Sequence, residues 1–252
     1  MNKIIKNDER LCMNESEESD ETDPNSKLFN EYNKKYSETV NESISFTGFD
    51  VDYFTRVKSD YIKDLCENFS SSESSLKALD VGCGVGNFHR LIGGTFQELH
   101  GVDVSSKSIE IAKSHNPDVE YMSYNGKVLP YENNTFDLTI TICVLHHVPQ
   151  DQWDNFISEL RRVLKKGGKA LIFEHNPRNP LTLRAVNRCP FDADAVLLDQ
   201  KKTESLLISS GFRNISKQYI LSVPAGSRLM RVVDKYLSFL GIGAQYYIHG
   251  TK

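Results

Sequence analysis

Apolar and polar residues alternate with two different periods along this chain, and these periods predict strands and helices. Apolar side chains recur at three- and four-residue steps from Val51 to Phe69, which predicts a helix with one buried face. Short apolar runs bounded by polar residues or glycine predict five strands beyond it, at Leu76–Val81, Leu99–Val104, Val119–Ser123, Phe136–Ile142 and Ala170–Glu174.

Helices are predicted between these strands and after them. They cover Phe88–Ile92, a segment from Ser105 or Ser106 to about His115, Trp153–Leu164 (followed by the helix-ending residues Lys165 to Gly168), and Leu198–Ser210. Such alternation is typical of a doubly wound parallel sheet. Two further strands, Arg213–Val223 and Gly243–Gly250, are predicted on either side of an amphipathic helix at Arg228–Leu240.

The first 30 residues differ from the rest in composition. Asn14–Lys27 contains no aliphatic or aromatic residue, so it cannot bury enough surface to offset the entropy of ordering it. We therefore predict a disordered acidic tail over residues 1–30 and one domain over residues 31–252. The tail contains eight acidic and four basic residues, and the whole net charge of −4 resides in it. A neutral body lacks the basic surface that binding of duplex nucleic acid requires.

Other compositional features exclude further classes. No apolar run approaches the roughly 20 residues needed to cross a bilayer, and no signal-peptide core follows Met1. We therefore expect neither secretion nor stable membrane insertion. The five cysteines are odd in number and form no C-x-x-C pair, which argues against a disulfide framework or a zinc ribbon. These features favour a cytoplasmic protein.

The stretch most informative about chemistry is Asp80-Val81-Gly82-Cys83-Gly84-Val85-Gly86. A buried strand here runs into three glycines that precede a helix, and glycine lets the backbone turn tightly and approach a ligand closely. An acid, Asp103, ends the next strand 19 residues after Gly84, where a carboxylate can accept hydrogen bonds from both hydroxyls of a ribose. The dinucleotide pattern G-x-G-x-x-G fits poorly, because Asn87 follows at the third position.

In combination these residues resemble the class I S-adenosylmethionine-dependent methyltransferases. The resemblance covers about residues 50–250 and continues through Phe136-Asp137-Leu138, Val144-Leu145-His146-His147-Val148 and Leu164-Lys165-Lys166-Gly167-Gly168. It implies a Rossmann-like, doubly wound, seven-stranded sheet that is mostly parallel with an antiparallel last strand, and S-adenosyl-L-methionine as cofactor.

The resemblance also implies a cofactor-binding set. Gly82, Cys83, Gly84 and Gly86 form the loop along the methionine part, and Asp80 faces its amino group. Asp103 holds the ribose and Val104 packs on the adenine. Asn125 accepts from the adenine amino group and Gly126 offers its backbone N–H to the ring. The set is Asp80, Gly82, Cys83, Gly84, Gly86, Asp103, Val104, Asn125 and Gly126.

Candidate catalytic residues lie at the ends of the fourth and fifth strands. An oxygen nucleophile is strengthened if a histidine accepts its proton, and Glu174-His175 and His147 are predicted at this edge of the sheet. We expect His175 to be the base, with Glu174 orienting its ring or the acceptor and His147 as the rival. His175 could instead only hydrogen-bond the following turn. Adjacent histidines such as His146-His147 are expected to point in different directions, and no acid or cysteine is suitably placed beside them, so no metal site is expected.

We therefore expect a methyltransferase acting on a small-molecule acceptor, with O-methylation of a sugar or surface-polysaccharide precursor as one version. A helical lid at about residues 224–241 could cover the acceptor, pack on the sheet, or rest on a membrane surface. Two alternatives remain: a cofactor-binding scaffold without catalysis, and a nicotinamide-dependent oxidoreductase. Against the latter, no tyrosine in the chain has a lysine four residues later, so the common Y-x-x-x-K pair is absent.

Overall fold

The computed structural model describes residues 36–69 and 76–252, so the predicted acidic tail and the loop at 70–75 lie outside the described residues. Seven strands form one sheet. They are β1 (Lys77–Val81), β2 (Glu98–Asp103), β3 (Glu120–Ser123), β4 (Phe136–Ile142), β5 (Leu164–His175), β6 (Arg213–Ile220) and β7 (Gln245–Thr251).

Helices connect these strands, and local sequence explains where several of them begin. The Asp50, Ser105 and Asp199 side chains each accept a hydrogen bond from a backbone N–H of the first helical turn that follows. The helices are α1 (Tyr36–Ile44), α2 (Val51–Cys66), α3 (His89–Ile92), α4 (Ser106–His115), α5 (Trp153–Val163), α6 (Pro180–Val186), α7 (Gln200–Ser209) and α8 (Arg228–Leu237).

The strand order β3-β2-β1-β4-β5-β7-β6 confirms the predicted doubly wound sheet. The first five strands are parallel, and β7 inserts antiparallel between β5 and β6. The order reverses between β1 and β4, so the carboxyl ends of these neighbouring strands open a crevice where doubly wound sheets bind ligands.

Apolar side chains fill both faces of the sheet. On one face Phe156 and Leu160 of α5 pack with Leu207 of α7, and on the other Ile62 of α2 packs with Ile92 of α3. All five are buried. The alternation of strands and helices read from the sequence thus has its physical cause in two apolar layers around one sheet.

Three elements differ from the prediction: the fifth strand is longer, and helices α1 and α6 were not expected. The fifth strand begins at Leu164, six residues before its predicted start at Ala170, because Leu164 pairs with Phe136 across an irregular register with β4. Lys165 to Gly168 therefore belong to a strand. Gly167 has a φ of +83°, and its backbone N–H donates to the carbonyl oxygen of Lys252, the residue after β7, at 3.2 Å. Helix α6 was not expected, although Asn179 caps it and Pro180 occupies its first turn.

Among residues 36–69 and 76–252, none of the helices combines the length and the apolar character that crossing a bilayer demands.

Candidate active site

A cavity of about 670 Å³ opens at the carboxyl ends of the parallel strands. The loops that follow β1, β2, β3, β4 and β5 contribute to its wall, and α1, α2 and α6 border it from the other side. Its position is the crevice that the strand order predicts. The wall contributed by the helices and the turn after α1 is largely apolar and includes Val40, Ile44, Phe46, Phe49, Phe54 and Leu181.

Three glycines after β1 have three different structural roles. Gly82 has a φ of +78°, and a Cβ there would lie 2.4 Å from Cγ2 of Val144, so backbone conformation and close packing both require glycine. Gly84 has a φ of +52°, but a Cβ there would meet no atom within 4 Å. Both line the cavity, as does Cys83 between them. Burial raises the pKa of the Cys83 thiol, which is therefore not a thiolate nucleophile.

Gly86 is a packing residue rather than part of the cavity wall. A Cβ there would lie 2.5 Å from the Tyr121 hydroxyl and 2.8 Å from the Asn116 amide. The position of Gly86 therefore does not support the expected contact with the cofactor. Its missing side chain instead lets the hydrogen-bonded pair His89–Tyr121 approach the glycine loop.

Asp80 is buried behind the glycine loop. One carboxylate oxygen, Oδ2, lies 2.9 Å from Nε2 of His89. The other, Oδ1, is buried and has no hydrogen-bond partner among the residues that the structure describes. Burial raises the pKa of Asp80 and the bond to His89 lowers it, with a net rise. A buried polar atom without a hydrogen-bond partner is unfavourable, so this oxygen is suited to accept a hydrogen bond from a ligand.

Asp103 joins the end of β2 to the glycine loop. Its Oδ2 accepts from the backbone N–H of Gly84 at 2.8 Å, and its Oδ1 accepts from that of Ser105 at 2.9 Å. Each carboxylate oxygen has a second lone pair, so the group can still accept from two hydroxyls. Burial raises the pKa of Asp103 to about 6, although the backbone hydrogen bonds oppose this rise.

The residues predicted to surround the adenine divide into two groups. Val104 and Gly126 line the cavity. Asn125 does not: its side chain is exposed, and its Oδ1 accepts from the backbone N–H groups of Lys127 and Val128 at 3.0 Å. Its oxygen stabilises a local turn, a use that asparagine commonly has in loops, so the expected contact with the ring is not supported. Tyr124, which sequence reasoning missed, lines the cavity beside it.

The end of β4 turns sharply into a short 3₁₀ segment that carries two histidines. Cys143 adopts a φ of +56°, which is unusual for a residue with a side chain, and the chain then forms a turn over Leu145–His147. The imidazole rings of His146 and His147 lie 4.2 Å apart, centre to centre. The expectation that adjacent histidines diverge does not hold in this turn.

Glu174 is fully buried and interacts with the histidine turn. Its Oε2 lies 2.6 Å from Nδ1 of His146, and its Oε1 accepts from the backbone N–H of Leu145 at 2.8 Å. Glu174 is not part of the cavity wall, whereas its neighbour His175 is, because successive residues of a strand face opposite sides. The expected pairing of Glu174 with the His175 ring is therefore replaced by a pairing with His146.

The histidines of the cavity differ in charge. Burial alone lowers the pKa of His146, but the neighbouring carboxylates Glu174 and Asp192 raise it to about 10. Burial and the charge of His146 lower the pKa of His147 and of His175 to about 4. Both of these rings are thus uncharged at neutral pH, with a pKa below the near-neutral value expected for a base.

Asp192 is the residue of this cluster that sequence reasoning missed. It lies in a short 3₁₀ segment, Pro190–Asp192, and lines the cavity. Its Oδ1 is 3.6 Å from Nε2 of His146 and 3.5 Å from Nε2 of His147. The expectation of no metal site assumed that no acid lies beside the two histidines. Asp192 lies beside both, so this assumption is wrong.

Helix α8 has an orientation that two of the three sequence-based alternatives, a cover over the acceptor and a face packed on the sheet, did not foresee. Its buried residue is Asp234, whose carboxylate accepts from the Tyr61 hydroxyl at 2.6 Å and from the backbone N–H of Leu221 and of Ser222 at 2.7 Å. Arg231 donates to Asp64 of α2 at 2.7 Å. Polar contacts thus hold the helix to the body.

The apolar side of α8 faces outward. Leu229, Tyr236 and Phe239 are 73%, 76% and 83% exposed. Within α8 itself, the apolar side neither packs on the sheet nor lines the cavity. Ile242, which continues this side beyond the helix, does line the cavity, as does Val223 before the helix. The outward row comprises Leu229, Val232, Val233, Tyr236, Phe239, Leu240 and Ile242.

The central part of the chain is similar to a known protein family. Residues 79–172 match the family described as a methyltransferase domain. A ubiquinone biosynthesis O-methyltransferase of Rhizobium johnstonii is 28% identical over 155 residues, which are 57% of this chain and 60% of that protein. A tRNA (carboxymethyluridine(34)-5-O)-methyltransferase of Saccharomyces cerevisiae is 34% identical over 96 residues, 38% of this chain and 34% of that protein. The chain thus spans less than two thirds of these curated relatives.

A solved structure covers more of the chain. It is a SAM-dependent methyltransferase of Thermotoga maritima, described as a possible histamine N-methyltransferase, with a TM-score of 0.64 and 18% identity. The match covers 90% of this chain and 99% of that one. At this identity the likeness concerns the fold.

Proposed function

We propose that the chain is a class I S-adenosylmethionine-dependent methyltransferase, and that it transfers a methyl group from S-adenosylmethionine to an oxygen atom of a small-molecule acceptor. One observation carries this proposal. A single cavity is bordered both by the glycine loop with Asp103 and by an uncharged histidine, His175.

The residues present fit the cofactor. Gly84 leaves open space where a side chain would project, and Asp80 has a buried oxygen free to accept from an amino group directly or through water. Asp103 retains capacity for two ribose hydroxyls, while Val104 and Gly126 offer an apolar wall and a backbone N–H for the adenine. When bound, S-adenosylmethionine supplies a methyl group that is already activated as a sulfonium substituent.

The chain's own residues then have three tasks: to position the acceptor, exclude water and take up a proton. In-line displacement benefits most from positioning, which can contribute roughly 7–11 kcal/mol. The apolar side chains of α1 and α2, such as Ile44 and Phe54, exclude water from the cavity. His175 accepts the acceptor's proton, and His147 is the rival for this role.

The wall of the cavity bears on the acceptor class. Its apolar helical side favours an acceptor with an apolar body that carries a hydroxyl, and it favours a sugar precursor less strongly. The balanced charge of residues outside the tail supports a small molecule over a nucleic acid.

Two assays test the proposal. Calorimetry with S-adenosylmethionine, its demethylated product and NAD is expected to detect the first two and not the third; tight NAD binding would support an oxidoreductase instead. Incubation with methyl-labelled cofactor and a set of hydroxylated apolar acceptors, followed by mass spectrometry, is expected to yield a labelled product. Cofactor binding without turnover on any acceptor would support the scaffold alternative.

A further inference from the structure

Asp192 and the two adjacent histidines have a spacing that suits a shared ion better than hydrogen bonds. The Asp192 Oδ1 atom lies 3.6 Å from Nε2 of His146 and 3.5 Å from Nε2 of His147. Both separations are too long for good hydrogen bonds. Ligand atoms bound tetrahedrally to one zinc ion, at about 2.0–2.1 Å each, lie about 3.3 Å from one another. One ligand atom from each of the three residues can be chosen so that all three atoms lie within 4.8 Å of one another.

The surroundings of His146 have the form of a metal ligand's support. Its Nδ1 is held by Glu174 at 2.6 Å, and Glu174 is fixed in turn by the backbone N–H of Leu145 at 2.8 Å. A histidine that binds a metal through one nitrogen usually donates the other N–H to a carboxylate or carbonyl. The bond to Glu174 leaves Nε2 facing Asp192, and a metal ion bound there would take the place of the Nε2 proton of the charged ring.

The location and the ligand types of His146, His147 and Asp192 are those of a catalytic metal site. All three residues line the cavity. Two imidazoles and one carboxylate form a donor set found in catalytic zinc sites and in non-haem iron sites, which keep a position open for water or substrate.

We propose that His146, His147 and Asp192 bind one divalent transition-metal ion, Zn²⁺ or a first-row neighbour, whose open position receives the acceptor's oxygen. This inference rests on the proposed methyl transfer and deepens it. A bound cation stabilises the deprotonated form of a hydroxyl. The hydroxyl proton passes to His175 and then to solvent, the oxygen forms a bond to the methyl carbon, and the carbon–sulfur bond breaks with its electron pair left on sulfur. His147 then serves as a ligand, which leaves His175 as the base.

The test measures metal binding independently of activity. The full chain is freed of metal by a chelator and titrated with Co²⁺, whose visible d–d absorption reports coordination, and with Zn²⁺ by calorimetry. One ion per chain is expected. His147→Gln and Asp192→Asn are each expected to weaken binding by more than roughly a hundredfold, and Glu174→Gln by about 10–100-fold, the range for an outer-shell partner.

His175→Gln is the matched control, because this histidine shares the cavity without belonging to the ligand set. It is expected to keep the Co²⁺ spectrum and the Zn²⁺ affinity of the parent. Circular dichroism and the melting temperature identify any variant that fails to fold. Asp192→Asn, which keeps the size of a partly exposed side chain, carries little of that risk.

The outcomes separate the metal site from the methyltransferase activity. Absence of Co²⁺ and Zn²⁺ binding, or binding that survives Asp192→Asn and His147→Gln unchanged, overturns the metal site. If methyl transfer continues undiminished in excess chelator while metal binding fails, the metal site is overturned and the methyl transfer stands. Metal binding with the expected variant pattern supports the site whether or not the acceptor is in hand.

Discussion

The carboxylate of Asp103 accepts a hydrogen bond from the backbone N–H of Gly84 at 2.8 Å, which ties the end of β2 to the glycine loop after β1. One side chain thereby fixes the loop and offers its remaining lone pairs to the cavity. The loop and the ribose site are consequently parts of one hydrogen-bonded unit.

Replacing Asp103 should weaken cofactor binding. We expect Asp103→Ala to reduce S-adenosylmethionine affinity by about 1–3 kcal/mol, the scale of lost charge-assisted hydrogen bonds, as measured by calorimetry. Asp118→Ala, which removes an exposed carboxylate before β3, is the control and should leave affinity unchanged. Equal affinity of the Asp103 variant and the parent would contradict the assignment.

Cofactor affinity should depend on pH through the same carboxyl. Burial raises the pKa of Asp103 from 3.8 to about 6, so the free folded protein retains this proton between these values while the unfolded chain loses it. The contribution of Asp103 to folding stability therefore falls as pH rises from about 4 to 6. Ribose hydroxyls favour the ionised form, so affinity should be roughly tenfold weaker at pH 5 than at pH 8. Asp103→Asn should flatten this profile.

The glycine loop offers a pair of substitutions that separate stability from binding. Gly82→Ala should destabilise the protein by roughly 2–4 kcal/mol in chemical denaturation, because the new methyl group meets Val144 at 2.4 Å. Gly84→Ala should lower the free energy of unfolding by only about 1–2 kcal/mol, the cost of a left-handed backbone conformation for a residue with a Cβ. It should nevertheless weaken cofactor binding strongly, because its methyl group enters the cavity. Unaltered cofactor affinity in the Gly84 variant would place the cofactor elsewhere.

The proposed base should affect turnover and leave cofactor binding intact. We expect His175→Gln to lower kcat by roughly a hundredfold or more, the usual range for a lost general base, while the cofactor Kd stays the same. Rates are measured with methyl-labelled cofactor and the acceptor that the screen identifies. If His147→Gln loses turnover and His175→Gln does not, His147 is the base. If both remain active, positioning alone accounts for the rate.

The carboxyl ends of the parallel strands, the glycine loop and the position of Asp103 could be predicted. Each of these features depends on residues close in sequence. Period and glycine placement predicted β1, and the acid that ends β2 follows from the same local rule. The antiparallel β7 was also predicted, by resemblance to the family. These features place one half of the cavity.

Asp192, Asn125 and α8 show where sequence reasoning ends. Asp192 reaches His147 from 45 positions away through an irregular segment, and no local pattern announces such a contact. Asn125 satisfies nearby backbone groups, a competition that family resemblance does not reveal. The apolar period of α8 left open whether its apolar side is buried or faces outward. The structure orients the helix by the buried acceptor Asp234, which satisfies three donors.

Helix α8 should depend for its stability on that buried carboxylate. We expect Asp234→Ala to lower the free energy of unfolding by about 2–4 kcal/mol, because the Tyr61 hydroxyl and two backbone N–H groups lose their acceptor. Tyr236→Ser, on the exposed side, is the matched control and should change stability by no more than about 0.5 kcal/mol. Thermal and urea melts compare the two. The reverse order would mean that the apolar side holds the helix.

The outward apolar row gives the molecule a preferred orientation at any boundary between water and an apolar phase. Leu229, Tyr236 and Phe239 would enter such a phase first, while Arg228 and Lys235 remain in the water beside it. Ile242 belongs both to this row and to the cavity wall. A molecule adsorbed by this row therefore holds that edge of its cavity against the boundary, where dissolved apolar compounds are most concentrated.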